Sequence, residues 1–156
     1  MIEIAVPGFG DLALEHLVLD YNGTLALDGA LLPGVAEALV RLSSRVQIHV
    51  ITADTFGRAR EAVRIFPCTF TLLGPEGQAE AKAAYVEGLG AKGVAAVGNG
   101  RNDRLMLRAA ALGIAVLQQE GASAETLREA SAVCPDILRA LGLLEHPLRL
   151  VATLRS

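Results

Sequence analysis

The sequence predicts an α/β fold in three layers, with helices on both faces of a mostly parallel sheet. Short apolar runs of strand length alternate with helical stretches along the chain. Of the 156 residues, 52% are hydrophobic but only 4% are aromatic. The core must therefore consist mainly of Ala, Val, Leu and Ile, which is typical of buried parallel strands. The length favours a single domain over residues 1–156.

Turn residues divide the first part of the chain into elements. Strands are predicted at residues 2–6 and 12–19, because a turn rich in Pro and Gly separates two apolar stretches and favours a leading hairpin. Asp28-Gly29 lies between two further apolar stretches and predicts a small hairpin. Pro33-Gly34 is expected to open a helix, since apolar residues follow it at helical spacing.

The remainder of the chain alternates strands with helices. Short apolar runs predict strands at residues 46–51, 70–73, 94–97 and 114–117. Start signals and periodicity predict helices at residues 54–64, 76–89, 103–111, 123–129, 135–143 and 147–154. Asp54 or Thr55 can cap the first of these helices. This alternation indicates a doubly wound sheet.

Polar residues suited to phosphate chemistry follow three of the predicted strands. Asp20-Tyr21-Asn22-Gly23-Thr24 follows the first long apolar run, Thr52 follows the next, and Asn99-Gly100-Arg101-Asn102-Asp103 follows a third. Lys82 lies within a predicted helix. Ligands of open α/β sheets bind at the carboxyl edge of the strands, so these residues are expected to meet there.

Each of these residues also has an ordinary structural interpretation. Asp20 could be a turn residue, because Asp-x-Asn-Gly is favourable turn chemistry. Thr52 could simply begin a helix, and Lys82 could be a solvated helix lysine like most lysines. The loop at residues 99–103 could serve only as a helix cap. The occurrence of all four in one order favours the functional interpretation.

Together these four segments resemble the four motifs of the haloacid dehalogenase (HAD) superfamily of phosphohydrolases. They are most similar to its soluble branch that resembles the phosphorylation domain of P-type ATPases. The resemblance extends from about residue 17 to the C-terminus. It implies a three-layer Rossmannoid core without a cap domain, because the intervals between motifs leave no room for a cap or a nucleotide-binding domain. An open site would suit a large substrate or a cap supplied by another subunit.

The resemblance assigns roles in phosphoryl transfer. Asp20 would be the nucleophile that forms an aspartyl-phosphate. Lys82 would supply a cation and Thr52 a hydroxyl with nearby amides, because the transferred group carries negative charge on its oxygens. The backbone at Gly23 and Thr24 would add amide donors, since glycine permits close approach.

The resemblance also implies a magnesium ion, held by Asp20, the Asn22 carbonyl, Asn99 and Asp103. Two of these positions depart from the family pattern. Asn22 stands where related phosphatases carry an aspartate that protonates the leaving oxygen and activates water, and an amide does neither. Asn99 stands where the family usually has a metal-binding aspartate, so weaker magnesium binding is expected. These departures from the family pattern imply slow turnover with a preference for acyl or aryl phosphates.

Three functions are compatible with these features. The first is a Mg²⁺-dependent phosphohydrolase, favoured by the presence of Asp20, Thr52 and Lys82. The second is a phosphate-binding or regulatory protein that kept the scaffold, favoured by Asn22 and Asn99. The third is a weak soluble ATPase, which the similarity to ion pumps suggests.

Composition restricts the partners. The net charge of −3 gives no basic field for nucleic acid or an acidic membrane surface. The N-terminus does not resemble a signal peptide, and no apolar stretch approaches the ~20 residues of a membrane helix. Cys68 and Cys134 lack metal-binding spacing and suggest reduced thiols. We therefore expect a cytoplasmic protein that acts on a small phosphorylated molecule or a phosphoprotein. The sequence leaves homo-oligomer formation open. Asp54 and Arg101 are further candidates at the substrate edge.

Overall fold

The structure is a computed structural model that describes residues 1–54 and 57–156. Its strands are β1 (Ile2–Val6), β2 (Gly10–Leu14), β3 (His16–Asp20), β4 (Ala26–Leu27), β5 (Ala30–Leu31), β6 (Gln47–Thr52), β7 (Thr69–Leu72), β8 (Val94–Gly98), β9 (Leu112–Val116) and β10 (Ala132–Cys134). Its α-helices are α1 (Val35–Leu42), α2 (Arg58–Ala62), α3 (Gln78–Gly88), α4 (Arg104–Ala109), α5 (Ala124–Glu129), α6 (Ile137–Glu145) and α7 (Pro147–Leu154). Short 3-10 helices occur at Val63–Ile65, Ala91–Gly93 and Arg101–Asp103.

A parallel sheet of six strands in the order β10-β9-β8-β3-β6-β7 forms the middle layer. The predicted parallel sheet is therefore confirmed. β3 lies between β8 and β6, which places Asp20 at the centre of the carboxyl edge. The sequence did not predict β10, because three residues are too few for a periodic pattern. This edge strand forms by pairing with β9.

Helices cover the sheet on both faces, as the sequence predicted. Alternation within β3 shows the division, because Leu17 and Leu19 belong to one apolar cluster and Val18 to the other. The first cluster includes residues of α1, α2, α6 and α7, and the second includes residues of α3 and α4. β3 is thus buried on both sides, which explains why its sequence is continuously apolar rather than alternating.

The strand predicted at residues 12–19 is wrong in its extent, because the structure divides it at Glu15 into β2 and β3. β2 pairs with β1 in a separate antiparallel hairpin, while β3 enters the central sheet. The amide of Glu15 donates to the carbonyl of Gly93 at 2.8 Å, and its carbonyl accepts from Gln47 at 2.8 Å. The chain therefore changes partners at this residue without a turn signal.

The small hairpin predicted at Asp28-Gly29 is confirmed as the antiparallel pair β4–β5. Asp28 has φ 51° and Gly29 has φ 84°, the left-handed conformation that a tight two-residue turn needs. The Tyr21 hydroxyl donates to the Gly29 carbonyl at 2.8 Å and holds this flap beside the residues after β3. Within residues 1–54 and 57–156 no insertion has the size of a cap domain.

The helix boundaries differ from the predictions by a few residues. The predicted cap at Asp54 is wrong in position, because α2 begins later and its N-cap residue is Gly57. Asp54 Oδ2 still accepts from the amide of Ala59, in the first turn of α2, at 3.0 Å. The alternative cap, Thr55, lies outside the described residues. No helix in the described part of the chain is long and apolar enough to cross a membrane.

Candidate active site

The polar residues that follow β3, β6 and β8 meet at the carboxyl edge of the sheet, as the sequence predicted. They line a small cavity of about 210 Å³. Its walls are formed by Asp20, Asn22, Thr52, Ala53, Gln78, Asn99, Gly100, Asn102 and Glu120. Parallel strands end at the same edge, so residues distant in sequence become neighbours here.

Lys82 joins the two acidic residues of the motifs. Its Nζ lies 2.6 Å from Oδ1 of Asp20 and 2.6 Å from Oδ1 of Asp103. The Lys82 side chain is fully buried, which excludes the interpretation as a solvated helix lysine. Since an ammonium is rarely buried without partners, these carboxylates account for its position.

Charge at this centre is unevenly balanced. Burial and the neighbouring Asp103 carboxylate raise the pKa of Asp20 to about 6, against the opposing effect of Lys82. Burial alone would lower the pKa of Lys82, but Asp20 and Asp103 raise it above its ordinary value. With both carboxylates ionised, the three side chains carry one excess negative charge. A cation bound here would offset it.

Thr24 lies between Asp20 and Asn99. Its Oγ1 is 3.3 Å from Oδ2 of Asp20 and 3.3 Å from Oδ1 of Asn99. A hydroxyl has one proton to donate, so only one of the two acceptors receives it at a time. Asp20 Oδ2 and Asn99 Oδ1 thus lie within hydrogen-bond distance of the same hydroxyl.

Asp103 does not line the cavity. Its Oδ1 accepts from Lys82, and its Oδ2 accepts from the amides of Asn99 and Gly100, each at 2.9 Å. The Asp103 carboxylate is fully buried and thus fixes Lys82 and the loop after β8. Its contact with a metal stays a prediction.

The oxygen atoms at the cavity match the ligand preference of Mg²⁺ in type. Asp20 and Asn99 face the cavity, and Asn22 also lines it, with its backbone carbonyl as the predicted ligand. Among the described residues, no group of three or more His, Cys, Asp and Glu side chains is placed to hold a metal. The donors therefore fit a magnesium ion that keeps several waters, at a site poor in carboxylates.

A loop that the sequence did not single out completes one wall. Gln118, with φ 43°, donates through Nε2 to the carbonyls of Gly23 at 2.7 Å and Thr24 at 2.9 Å. Its Oε1 accepts from the amide of Ile137 at 3.1 Å. The Glu120 carboxylate extends from this loop to the cavity. No motif indicated these residues, because the contacts form only in the folded chain.

Two further cavity residues were also missed. Asn102 donates through Nδ2 to Oε1 of Gln78 at 2.7 Å, and both line the cavity. Asn102 could have been found, because it lies inside the predicted loop motif. Gln78 begins α3 and carried no signal of its own.

The two additional edge candidates have different positions. Arg101 pairs with Glu125 at 3.0 Å and its side chain is 70% exposed, so it belongs to the surface. Asp54 is buried and lines a neighbouring cavity of about 380 Å³ together with Asn22 and Glu120. Neither lines the small cavity that contains Asp20.

A larger, mainly apolar cavity of about 650 Å³ adjoins the site. It shares Gly23 and Glu120 with the surroundings of the small cavity. Its apolar wall consists of Ala26, Leu27, Leu32, Pro33, Ile137 and Leu138. It offers room beside the phosphate residues for the remainder of a substrate.

Solved structures identify the fold. The chain superposes on a protein described as a HAD superfamily (subfamily III A) hydrolase from Legionella pneumophila with TM-score 0.71, at 16% identity and covering 90% of this chain and 86% of that one. It superposes on 3-deoxy-D-manno-octulosonate 8-phosphate phosphatase from Moraxella catarrhalis, solved with magnesium, phosphate and KDO, with TM-score 0.66 at 16% identity, covering 90% and 92%. The fold is therefore that of the HAD superfamily.

Sequence comparison identifies the nearer relatives. The chain is 47% identical over 65 residues to the uncharacterized protein MJ0073 of Methanocaldococcus jannaschii, covering 42% of this chain and 70% of that protein. It is 46% identical over 39 residues to MJ0072 of the same organism, covering 25% and 89%. The chain belongs to the family of these proteins. No protein-family model matches it.

Proposed function

We propose that this protein is a Mg²⁺-dependent phosphohydrolase that forms an aspartyl-phosphate on Asp20. The observation that carries the proposal is the buried contact of Lys82 with Asp20 at the carboxyl edge of a HAD fold. A carboxylate held beside a cation at an open cavity is suited to accept a phosphoryl group. The phosphatase from Moraxella catarrhalis has the same fold, and its structure contains magnesium and phosphate.

The proposed reaction has two steps. A carboxylate oxygen of Asp20 attacks phosphorus, the bond from phosphorus to the leaving oxygen breaks, and the leaving group departs with the electron pair. Water then attacks phosphorus, which breaks its bond to Asp20, releases inorganic phosphate and a proton, and restores the carboxylate. Lys82 and the Thr52 hydroxyl hold the phosphoryl oxygens in both steps. The amides of Gly23 and Thr24, expected from the sequence as further donors, instead donate to the carbonyls of Ala26 at 2.9 Å and Tyr21 at 3.2 Å.

A magnesium ion would be held by Asp20, the Asn22 carbonyl and Asn99, with Asp103 in support. When bound, it supplies positive charge against the phosphoryl oxygens. The excess negative charge of Asp20, Asp103 and Lys82 supports the presence of such a cation. Because the donors include only a few carboxylates, we expect weak binding.

The substrate preference follows from Asn22. This side chain is exposed at the cavity, and its amide is not an acid that can protonate a leaving oxygen. Leaving groups that are stable as anions, such as acyl and aryl oxygens, do not need that proton. The resemblance to P-type ATPases supports a slow second step, and the apolar cavity supports a leaving group with an apolar body.

Free cysteines support the proposed location. Cys68 and Cys134 form no disulfide among the described residues, which agrees with a reducing compartment. We therefore propose a cytoplasmic location, with a small phosphorylated molecule or a phosphoprotein as the partner. Homo-oligomer formation belongs to the same proposal, and Leu148, which is 83% exposed, is an apolar side chain available for such a contact.

The proposal is tested by phosphate release from acetyl phosphate and p-nitrophenyl phosphate, with and without Mg²⁺. Turnover should require Mg²⁺ and vanish in Asp20→Asn, while Asp11→Asn on the exposed leading hairpin should behave as the parent. A folded parent protein without turnover would contradict the hydrolase proposal. It would favour the phosphate-binding or regulatory function, which Asn22 and Asn99 support.

A further inference from the structure

Glu120 lies where the site lacks a carboxylate. It extends from the turn between β9 and α5 to the same cavity as Asp20, Asn22 and Asn99. Neither asparagine can contribute negative charge. Within the described residues the Glu120 carboxylate has no hydrogen bond or ion pair, and its side chain is exposed.

The distances place Glu120 beside Asn99. A Cβ built on Gly23 would lie 2.5 Å from Nδ2 of Asn99 and 2.5 Å from Oε2 of Glu120. Asn99 Oδ1, the predicted ligand oxygen, lies 2.9 Å from the same point and is therefore no more than about 5.4 Å from Oε2 of Glu120. Opposite ligand oxygens on one Mg²⁺ are separated by about 4 Å. Because the Glu120 side chain is exposed, rotation can bring its carboxylate to that separation.

Backbone and side-chain contacts hold the loop that carries Glu120. Gln118 binds the carbonyls of Gly23 and Thr24, as described above. The Asn99 side chain donates through Nδ2 to the backbone carbonyl of Gly121 at 2.9 Å. The backbone carbonyl of Asn99 accepts from the amide of Ser123 at 2.9 Å. Contacts on both sides of Glu120 thus anchor the loop to the residues that follow β3 and β8.

The missing side chain of Gly23 is part of the same arrangement. Gly23 has φ 76°, and the space that a Cβ would need is occupied by the ends of Asn99 and Glu120. Any larger residue at this position would displace one of them. Gly23 and the side-chain amide of Asn99 therefore pack against the loop that carries Glu120 at the point where Glu120 reaches the cavity.

We propose that Glu120 is the additional carboxylate of the magnesium site, acting in place of the aspartate that Asn99 lacks. This inference rests on the proposed function and extends its metal site. Asn99 would anchor the loop through Nδ2 and offer Oδ1 to the ion, while Glu120 would supply the charge. An aspartate at position 99 could not donate to the Gly121 carbonyl. The asparagine at this position is therefore linked to the anchored loop that carries Glu120.

The test is calorimetric titration of the full chain with Mn²⁺ in the absence of substrate. Glu120→Gln should weaken Mn²⁺ binding by about tenfold or more. Glu76→Gln is the matched control, because it removes the same charge from another exposed loop that lines no site cavity. It should leave the affinity unchanged at physiological salt, which screens distant charges. Because both positions are exposed, metal-free thermal unfolding should match the parent.

A second variant separates a metal ligand from a general charge effect. Asn99→Asp combined with Glu120→Gln should recover the parent affinity, since a carboxylate is returned to the same site. Parent-like Mn²⁺ affinity in Glu120→Gln, equal weakening in Glu76→Gln, or no Mn²⁺ binding by the parent would each overturn the inference. If Glu120→Gln binds as the parent while the parent shows Asp20-dependent turnover, only the role of Glu120 fails. If Mn²⁺ binding behaves as expected but turnover is absent, the hydrolase proposal fails instead.

Discussion

Lys82 Nζ lies 2.6 Å from Oδ1 of Asp20, although the two residues are 62 positions apart in the chain. The contact connects the end of the central strand β3 to the buried face of α3. Lys82 compensates two buried carboxylates, and the proposed function gives the same cation a second role toward the phosphoryl group.

Removing the cation should destabilise the fold. Lys82→Met leaves Asp20 and Asp103 buried without their counter-charge, and loss of one partner of a buried pair costs about 3–5 kcal/mol. We expect the free energy of unfolding in urea to fall by this amount, and turnover to be lost. Lys92→Met, at an exposed position, is the control and should unfold as the parent. A parent-like urea midpoint for Lys82→Met would contradict the role of the buried pair.

The ionisation of Asp20 should make metal-free stability depend on pH. Its pKa is about 6 in the folded chain, against 3.8 for an ordinary aspartate, so the folded state binds this proton more tightly. The resulting stabilisation is present below pH 3.8 and is lost as the pH rises through 6. In EDTA, Asp20→Asn should gain about 2 kcal/mol relative to the parent between pH 4 and pH 7.5.

Urea unfolding at the two pH values measures this difference. Asp11→Asn serves as the control, because its carboxylate is exposed. Magnesium should reduce the advantage of Asp20→Asn at pH 7.5, since the cation offsets the charge that the buried carboxylate carries. If the stability advantage of Asp20→Asn over the parent instead shrinks as the pH rises, a raised pKa of Asp20 in the folded chain is excluded.

Restoring an acid at position 22 should accelerate ordinary phosphate esters. Asn22→Asp introduces a group that can protonate the leaving oxygen and activate water, which is worth about 10²–10⁴-fold. We expect kcat for an alkyl phosphate to rise by at least about a hundredfold, and for acetyl phosphate by less. Asn22→Ala, which adds no acid, should give no gain. Equal gains for both substrates would argue against leaving-group protonation as the missing function.

An aspartate at position 99 should affect metal binding and stability in opposite directions. Asn99→Asp adds a charged ligand and should tighten Mg²⁺ binding. It also removes the hydrogen bond from Asn99 to the Gly121 carbonyl, which should lower metal-free stability by about 1 kcal/mol. Titration calorimetry and thermal unfolding in EDTA measure the two effects. Unchanged Mg²⁺ dependence would count against placing Asn99 at the metal.

The sequence was sufficient to predict which polar residues meet at the carboxyl edge of the sheet. Asp20, Thr52 and Asn99 each follow an apolar run, and parallel pairing brings the ends of such strands together. Lys82 is different, since only the family resemblance distinguished it from a surface lysine. The complete burial of Lys82 in the structure distinguishes it from a surface lysine, and the local sequence does not show this burial.

The features that the sequence did not predict depend on contacts between distant segments. The change of partner at Glu15 is set by Gly93 and Gln47, which lie far along the chain. The loop of Gln118 and Glu120 becomes part of the site only because Gln118 binds backbone carbonyls after β3. No local propensity encodes such pairings, so they emerge only from the folded arrangement.

The central claim is that Asp20 accepts the phosphoryl group, and intact-mass spectrometry after an acid quench tests it most directly. Incubated with acetyl phosphate and Mg²⁺, the protein should gain the mass of one phosphoryl group. Hydroxylamine should remove that group, and peptide mapping should place it on Asp20. The Asp20→Asn variant should stay unmodified. Phosphate release that depends on Mg²⁺ without any such adduct, or an adduct that persists in Asp20→Asn, would contradict the account.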